Sequence, residues 1–333
     1  IGRTGFVDRL YEGNMPKVMM EGWEFGSILQ KIRVEIPEAG ETSAWELIDG
    51  ASYDTQVFHA PTVSATYFNK KLTFTIEMSI PDIQVKSAFI SASQMMAFVS
   101  MIYNAINNGM TLKVQGLIQR AISNMIGLTM YDEYASTSSF SSASHTKAVN
   151  LLYEYNTNVN AGADISADDA LTNKEFLRYA AMRIGQYADR MKVMSKLFNI
   201  DGKARFTPES SRTTIMHSDF VNAAKSYLYS DTFNQEQVKL PAADVVPYWQ
   251  GSGTDYGFDS TSAVTVITTE GKAMTITGVL AVMFDREACA VANVDRRSKS
   301  KYNEDGEFTN TWTKWDCELL NDTAENFVVF FIA

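Results

Sequence analysis

The alternation of apolar and polar residues first becomes regular near residue 28. Ile32 and Val34 alternate there with Lys31, Arg33 and Glu35, which predicts a strand with one buried and one solvated face. A second alternating run spans residues 72–78, and the intervening stretch is rich in small and polar residues without a helical period. We predict that the two runs pair as a long two-stranded arm. A connection of that length in a compact domain is usually functional or mobile, and we interpret the arm as a projecting hairpin with an elaborated tip.

The longest helical pattern follows Pro81. Apolar residues recur at i, i+3 and i+4 spacing from Met95 to Ile106 and again from Val114 to Met125. This predicts a helical stretch of about 35 residues, near 50 Å long if it is continuous. The polar run at residues 107–109 leaves open a continuous, kinked or divided helix. Methionines at this spacing indicate core packing rather than a metal or cofactor site.

Helices and strands alternate after residue 145. The capping box from Thr172 to Glu175 predicts a helix start, and a short strand at 213–216 precedes a helix that Ser218 or Asp219 could cap. Further strands are predicted at 264–268, 279–284, 308–315 and 327–332. The last run is almost wholly apolar, which predicts a buried, central strand.

Residues 1–27 mix five glycines with large apolar side chains and have little periodicity. Two interpretations remain open for this segment. It is either an extended arm that lies on another surface or a segment packed on its own domain.

Composition and charge narrow the class of protein. The chain has 333 residues, 45% of them hydrophobic, which is enough for one large folded domain or two medium ones. The formal net charge of −10 argues against wrapping nucleic acid through a basic face, although it does not forbid DNA nearby. No membrane helix is predicted, because no apolar run approaches about 20 residues. No signal peptide is predicted, because no basic n-region followed by an apolar h-region is present.

No catalytic, metal or cofactor site is predicted. His59, His145 and His217 are isolated, without a histidine or cysteine at metal-ligand spacing. Cys289 and Cys317 are too few for a disulfide framework and are interpreted as small core residues of a protein made in a reducing cytosol.

A basic cluster precedes an acidic run near the C-terminal end. Its cations are Arg296, Arg297, Lys299 and Lys301, and acidic residues follow at 304–307. One interpretation is a solvated loop. The other is an intersubunit patch, because a basic and an acidic run are self-complementary between copies of one surface.

The order of these elements resembles the Hong Kong 97 phage capsid fold, and most closely the major head proteins of small short-tailed phages of the phi-twenty-nine type. Two stretches carry the residue-level likeness. The first comprises Phe68-Asn69-Lys70-Lys71-Leu72-Thr73-Phe74, Lys86-Ser87-Ala88-Phe89 and residues 98–106; the second comprises residues 279–288, 302–303, 306–310 and 327–330. The element order covers nearly the whole chain, whereas the residue-level likeness covers about a third of it and is weakest over 146–274.

The resemblance implies an α+β fold with the domains of that family. We expect an N-terminal arm at 1–27 and an E-loop, the two-stranded arm, at 28–80. The P-domain with a long spine helix should span 81–145, the A-domain 146–274, and the return strands of the P-domain 275–333.

The resemblance further implies a structural subunit of an icosahedral or prolate phage head without enzymatic activity. Copies would form hexamers and pentamers that enclose the genome without sequence-specific DNA binding. Assembly would take place in the host cytoplasm, and the product would be the virion. Scaffolding, portal and decoration proteins are candidate partners. The alternatives are an encapsulin-like compartment and a cytosolic α/β enzyme without a recognisable motif.

The candidate intersubunit contacts follow from the same resemblance. The aromatic residues Trp45, Tyr53 and Phe58 at the tip of the arm are expected to anchor on a neighbour. Lys70 and Lys71 are further candidates, because some members of the fold join subunits through a lysine and an asparagine. Nothing in the sequence indicates that this covalent chemistry occurs here.

Overall fold

The computed structural model describes residues 9–10, 18–21, 29–37, 39–41, 45–52, 56, 58–82, 92–134, 140–229, 240–249, 263–267 and 273–333. They belong to two compact units. The smaller is Phe25–Asn69, and the larger comprises Ile1–Glu24 with Lys70–Ala333. The predicted arm at 28–80 therefore extends beyond the smaller unit at its C-terminal end.

The described residues form the following elements. The strands are β1 (Met19–Glu21), β2 (Leu29–Val34), β3 (Val63–Phe68), β4 (Lys71–Pro81), β5 (Ala148–Asn150), β6 (Arg212–His217), β7 (Asp244–Val246), β8 (Val264–Ile267), β9 (Ala273–Ile276), β10 (Val279–Asp285), β11 (Cys289–Asn303), β12 (Phe308–Asn321) and β13 (Phe327–Phe331). The helices are α1 (Ala92–Tyr134), α2 (Leu151–Asn158), α3 (Ala167–Ala170), α4 (Lys174–Arg190) and α5 (Ser218–Tyr229).

The smaller unit contains one antiparallel pair, β2 with β3, in register from Leu29 opposite Phe68 to Val34 opposite Val63. A backbone hydrogen bond from Glu35 N to Thr62 O, 2.9 Å long, continues the pairing toward the tip. The predicted strand at 28–36 is thus confirmed, but its predicted partner at 72–78 is wrong.

That second run forms β4, which belongs to a four-stranded sheet in the order β1-β11-β12-β4. It pairs antiparallel with β12, from Lys71 opposite Glu318 to Pro81 opposite Phe308. The alternating pattern specifies a strand and its faces but not its partner, because pairing is decided by tertiary packing. β12 offers a strand of matching length with Trp315 opposite Phe74.

A five-stranded sheet in the order β5-β13-β10-β6-β7 forms the centre of the larger unit. Every residue of β10 and β13 is buried. This confirms the central, buried strand predicted near residue 330. Side chains from one face join a core with α1, and those from the other face join a core with α2, α4 and α5.

Helix α1 is continuous over 43 residues, about 65 Å at the usual rise. The polar residues 107–109 do not end the helix; they contact other parts of the chain. Asn107 Oδ1 accepts a hydrogen bond of 2.6 Å from Arg296, and Asn108 donates to the carbonyl of Arg9. Gly109 faces β4 so closely that a Cβ there would lie 3.0 Å from Ile76 Cδ1.

The apolar stripe of α1 is buried in only part of its length. From Ile106 onward its large apolar residues are mostly buried, whereas Met95, Met96 and Tyr103 are exposed and Phe98 is half-buried. Met96 and Tyr103 lie outside the predicted stripe, whose Val99 and Ile102 are half-buried and whose Ile106 is buried, so the stripe packs on its own chain only partly before Ile106.

The predicted helix after residue 172 is confirmed as α4, but its cap is Asn173, one residue later than predicted. The Asn173 side chain accepts a 3.0 Å hydrogen bond from Phe176 N. Thr172 instead donates to the carbonyl of Asp169. Helix α5 follows β6 directly, and His217 Nδ1 accepts from Asp219 N.

The described part of the N-terminal segment packs on its own chain. β1 pairs parallel with β11, and the buried Val18 accepts a 3.1 Å backbone hydrogen bond from Val291. Residues 1–8, 11–17 and 22–27, the rest of the predicted arm, lie outside the described residues. None of the helices that the structure describes is both long and apolar enough to span a membrane.

Candidate intersubunit surfaces

The two-stranded unit exposes its apolar face. In the register of β2 and β3, Ile32 and Val34 share one face with Val63, Ala65 and Tyr67. Ile32 is 64% exposed and Val34 58%, and the β3 residues of this face are exposed too. The opposite face is the more covered one, although it carries Lys31, Arg33, Ser64 and Thr66. This is the reverse of the buried apolar face that the alternation predicts within one chain.

The tip of this unit adds large aromatic side chains. Trp45 is 77% exposed and Phe58 is 85% exposed, and Leu47 and Ile48 beside them are also exposed. Tyr53, the third predicted anchor, lies outside the described residues. The exposure of these residues agrees with a tip whose apolar side chains are not buried by its own unit.

The predicted basic cluster lies on a strand rather than in a loop. Arg296, Arg297, Lys299 and Lys301 all belong to β11, which pairs with β12 along its whole outer half. The interpretation as a solvated loop is therefore wrong, although these side chains are exposed. The acidic residues 304–307 form the turn that joins the two strands.

The register of the hairpin divides the basic cluster between two faces. Arg296 lies opposite Trp315 and stacks on its ring at 5.5 Å, on the side where it also reaches Asn107 of α1. Arg297, Lys299 and Lys301 share the other face. A shallow depression of about 250 Å³ lies there, lined by Arg297, Lys299, Trp312 and Lys314.

Two predicted contact residues meet inside the chain at a carboxylate that the sequence analysis missed. Asp316, buried on β12, accepts hydrogen bonds of 2.8 Å from Arg297 Nη1 and 2.7 Å from Thr73 Oγ1. The ammonium of Lys71 lies 3.3 Å from the same carboxylate. Lys71 and Arg297 therefore join β4, β12 and β11 across the sheet. Lys70 is exposed, and its carbonyl accepts a hydrogen bond from Leu319 N.

This ion cluster makes stability depend on acidity. Burial tends to raise the pKa of Asp316, but hydrogen bonds from Arg297, Thr73 and Lys71 outweigh burial and hold the pKa at about 2. Because this is below the unfolded value of about 3.9, the ionised group stabilises the fold above about pH 4, and the contribution is lost as the pH falls toward 2.

We expect Asp316→Asn to lower the free energy of unfolding by about 2 kcal/mol at pH 7 and to flatten its decline between pH 4 and pH 2. Urea denaturation of unassembled subunits across that range measures both effects. Glu304→Gln, a carboxylate lost from the exposed turn, is the matched control and should change little. An unchanged pH profile in Asp316→Asn would contradict the assigned role.

His217 and the two cysteines occupy structural positions. Burial lowers the pKa of His217, next to the start of α5. Cys289 and Cys317 are both buried and free, as predicted, and burial raises the pKa of each thiol, for Cys317 to about 11. Among the residues that the structure describes, no group of three or more His, Cys, Asp or Glu side chains could hold a metal ion.

The fold matches solved capsids of tailed phages across the whole chain. For the capsid of Staphylococcus phage Andhra the TM-score is 0.66 at 10% identity, covering 100% of this chain and 87% of that one. For a structure of native bacteriophage P68 the TM-score is 0.63 at 9% identity, and the match covers 99% of this chain and 87% of that one. For the capsid of Cyanophage P-SCSP1u it is 0.52 at 11% identity, covering 100% and 93%. Identities this low establish the Hong Kong 97-type capsid fold alone.

The sequence itself identifies the family. Residues 1–331 match the family model of the Phi29-like phage major capsid protein, so the chain belongs to that family. It is a structural subunit of a phage head, it associates with copies of itself, and its place is the virion. The family supports this role over the encapsulin-like compartment and the α/β enzyme. No curated protein matches the chain.

Proposed function

We propose that copies of this subunit form hexamer-like and pentamer-like rings in which the unit Phe25–Asn69 acts as the E-loop and packs its apolar face on a neighbour. The observation that carries this proposal is the exposure of Ile32, Val34, Val63 and Tyr67 on one side of an ordered hairpin. In a single chain this arrangement is unfavourable, because apolar area remains in water while the charged face is partly covered. A second copy removes that cost.

The energetics suit repeated, individually modest contacts. Full burial of a Val or Ile side chain contributes about 1.5–3 kcal/mol, so four or five such residues outweigh much of the entropy lost in docking. A subunit held by several neighbours gains further, because each later contact forms at a high effective concentration. The first third of α1, with Met96 and Tyr103 exposed, offers apolar surface of the kind that such an arm could cover.

The charge and the cysteines of the chain support the proposed contents of the head and its place of assembly. The net charge of −10 suits a wall that encloses DNA without retaining it on a basic surface. Assembly in the host cytoplasm fits the two reduced, buried cysteines. Scaffolding, portal and decoration proteins would be separate partners. Residues 81–145 with 275–333 would act as the P-domain and residues 146–274 as the A-domain.

Size-exclusion chromatography and negative-stain microscopy of the purified chain test the proposed assembly. Particles of megadalton mass with ring-like capsomers, containing DNA when isolated from infected cells, are expected. A monomer or dimer at every concentration would rule the proposal out.

A pair of variants on opposite faces of the hairpin tests its role. We expect Ile32→Gln with Val34→Gln to raise the concentration needed for assembly by about 100-fold, because two side chains lose about 1.5 kcal/mol or more of burial each. The matched control, Ser64→Gln with Thr66→Gln, alters the same hairpin on its polar face and should assemble normally. Light scattering gives the threshold concentration, and circular dichroism checks the fold. Equal effects of the two pairs would contradict the proposal.

A further inference from the structure

The segment that follows α4 displays apolar side chains on a fixed backbone. Over residues 192–206, called here the basic loop, Leu197 is 62% exposed and Phe206 is 52% exposed, and Val193 and Met194 are exposed as well. The same segment carries four cations and one acid. Large apolar residues that remain in water on an ordered surface indicate a contact with another protein.

Hydrogen bonds hold the basic loop in one conformation. Ser195 and Arg205 exchange two backbone hydrogen bonds of 2.9 Å each. The amide of Asn199 bonds both the N–H and the carbonyl of Lys203, at 2.7 and 2.6 Å. The Phe198 carbonyl accepts from Phe327 N at 2.8 Å, which ties the loop to the central sheet. A loop ordered in advance loses little conformational entropy when it docks.

A second ordered segment lies at the other end of the same helix. Residues 159–170, called here the acidic loop, carry three acids and no cation. The side chain of Asn156 bonds both the N–H and the carbonyl of Ile165, at 3.2 and 3.0 Å. Ser166 caps α3 by accepting from Asp169 N. Val159, Asp164 and Asp168 are exposed on this frame.

The two loops carry opposite net charges and lie at opposite ends of one helix. Helix α4, which begins after the acidic loop and ends at the basic loop, is 17 residues or about 25 Å long. One copy therefore cannot join its own two loops across that length. Different surfaces on the two partners make a head-to-tail contact, and such contacts close into rings when the rotation between copies allows it.

We propose that the basic loop of one subunit docks on the acidic loop of the next, head to tail around a ring. Leu197 and Phe206 supply the apolar centre against Val159, and Lys196 faces Asp164 and Asp168. The inference rests on the ring assembly proposed above and concerns two surfaces outside the unit Phe25–Asn69. Apolar burial provides the affinity, while the charges select the partner surface and its orientation.

Charge reversal with rescue tests the contact. Lys192→Glu with Lys196→Glu should raise the assembly threshold by about tenfold or more, because Asp189 and Glu209 beside Lys192 then add to the repulsion. Asp164→Lys with Asp168→Lys should do the same. A chain with all four substitutions regains attraction and should assemble within about threefold of the wild type. The altered side chains are exposed, so each variant is expected to fold.

Disulfide trapping gives a second measurement that does not depend on the threshold. Lys196→Cys combined with Asp164→Cys should form a ladder of covalent oligomers in oxidised particles, since Cys289 and Cys317 are buried. Each single cysteine variant should form none, because a head-to-tail contact does not bring identical positions together.

The outcomes separate this inference from the proposed function. Wild-type particles whose charge-reversed variants assemble normally, or whose double-cysteine variant gives no ladder, overturn the head-to-tail contact and leave the head assembly standing. A wild-type chain that forms no particles overturns both. Loss of assembly in the two reversed variants without rescue in the combined chain also overturns the contact.

Discussion

Replacing Gly278 with alanine is expected to lower the free energy of unfolding of the larger unit by about 2–5 kcal/mol. The residue has a φ of +70°, and an added Cβ would lie 2.1 Å from the carbonyl oxygen of Ile332. That oxygen belongs to backbone, so it cannot rotate away, and the Ile332 N–H bonds the Gly278 carbonyl at 2.9 Å. Urea denaturation of unassembled subunits measures the loss.

Gly162→Ala is the control that separates the steric clash at Gly278 from the cost of a positive φ. Gly162 has a φ of +87°, but nothing lies within 4 Å of the Cβ that alanine would add. Its substitution should cost about 1–2 kcal/mol, the usual cost of a left-handed non-glycine residue. Equal losses at the two positions would show that the contact with Ile332 relaxes and that close packing there contributes nothing.

Replacing residues 35–62 with Asn-Gly is expected to abolish assembly while leaving the larger unit intact. Val34 and Val63 are directly opposite in the register, so a two-residue turn can join them. The substitution removes Trp45 and Phe58 with the rest of the tip. The larger unit is a separate compact body and should unfold within about 0.5 kcal/mol of the wild type. Electron microscopy should show no particles.

The double substitution Trp45→Ala and Phe58→Ala keeps the length of the tip and tests its aromatic groups alone. We expect the assembly threshold to rise by about 1,000-fold, because exposed aromatics that anchor an interface contribute about 2 kcal/mol each. Intact shells from the chain without residues 35–62 would show that the tip is dispensable. The role given to these aromatic residues would then be withdrawn.

Local periodicity predicted the elements of this fold better than their partners. The strands near residues 30, 75, 282 and 330 and the helix after residue 172 all follow from it. The pairing of 28–36 with 72–78 did not hold, since β2 pairs with β3 and β4 with β12. A period of two fixes which side chains share a face, but several strands in one chain can satisfy the same pattern.

Burial was harder to predict than secondary structure. The apolar stripe of β2 follows the same pattern as a core stripe, yet Ile32 and Val34 are exposed. Sequence alone cannot say whether an apolar face is covered by its own chain or by another. The strand β11 was missed for the opposite reason, because its outer half carries charged residues on both faces and has no apolar alternation.

The candidate intersubunit surfaces could likewise be predicted from the sequence only in part. The exposure of Trp45 and Phe58 was predictable, because they lie in a stretch without a period in which they could be buried. The cluster at Asp316 was not, since it joins residues 71, 73, 297 and 316 from three strands. A single aspartate between Trp315 and Cys317 carries no motif, and nothing in the sequence distinguishes it from a surface charge.

The central sheet couples the unfolding of the two helical layers that pack on it. Successive residues of β13 enter different cores: Phe327 and Val329 pack with α1, whereas Val328 and Phe330 pack with α2, α4 and α5. If either helical layer detached, one apolar face of β13 would be exposed to water. Because the other layer packs on the opposite face of the same strand, the two layers stabilise each other. Amide protons in both layers should exchange through the same global opening, so the larger unit melts as one cooperative body.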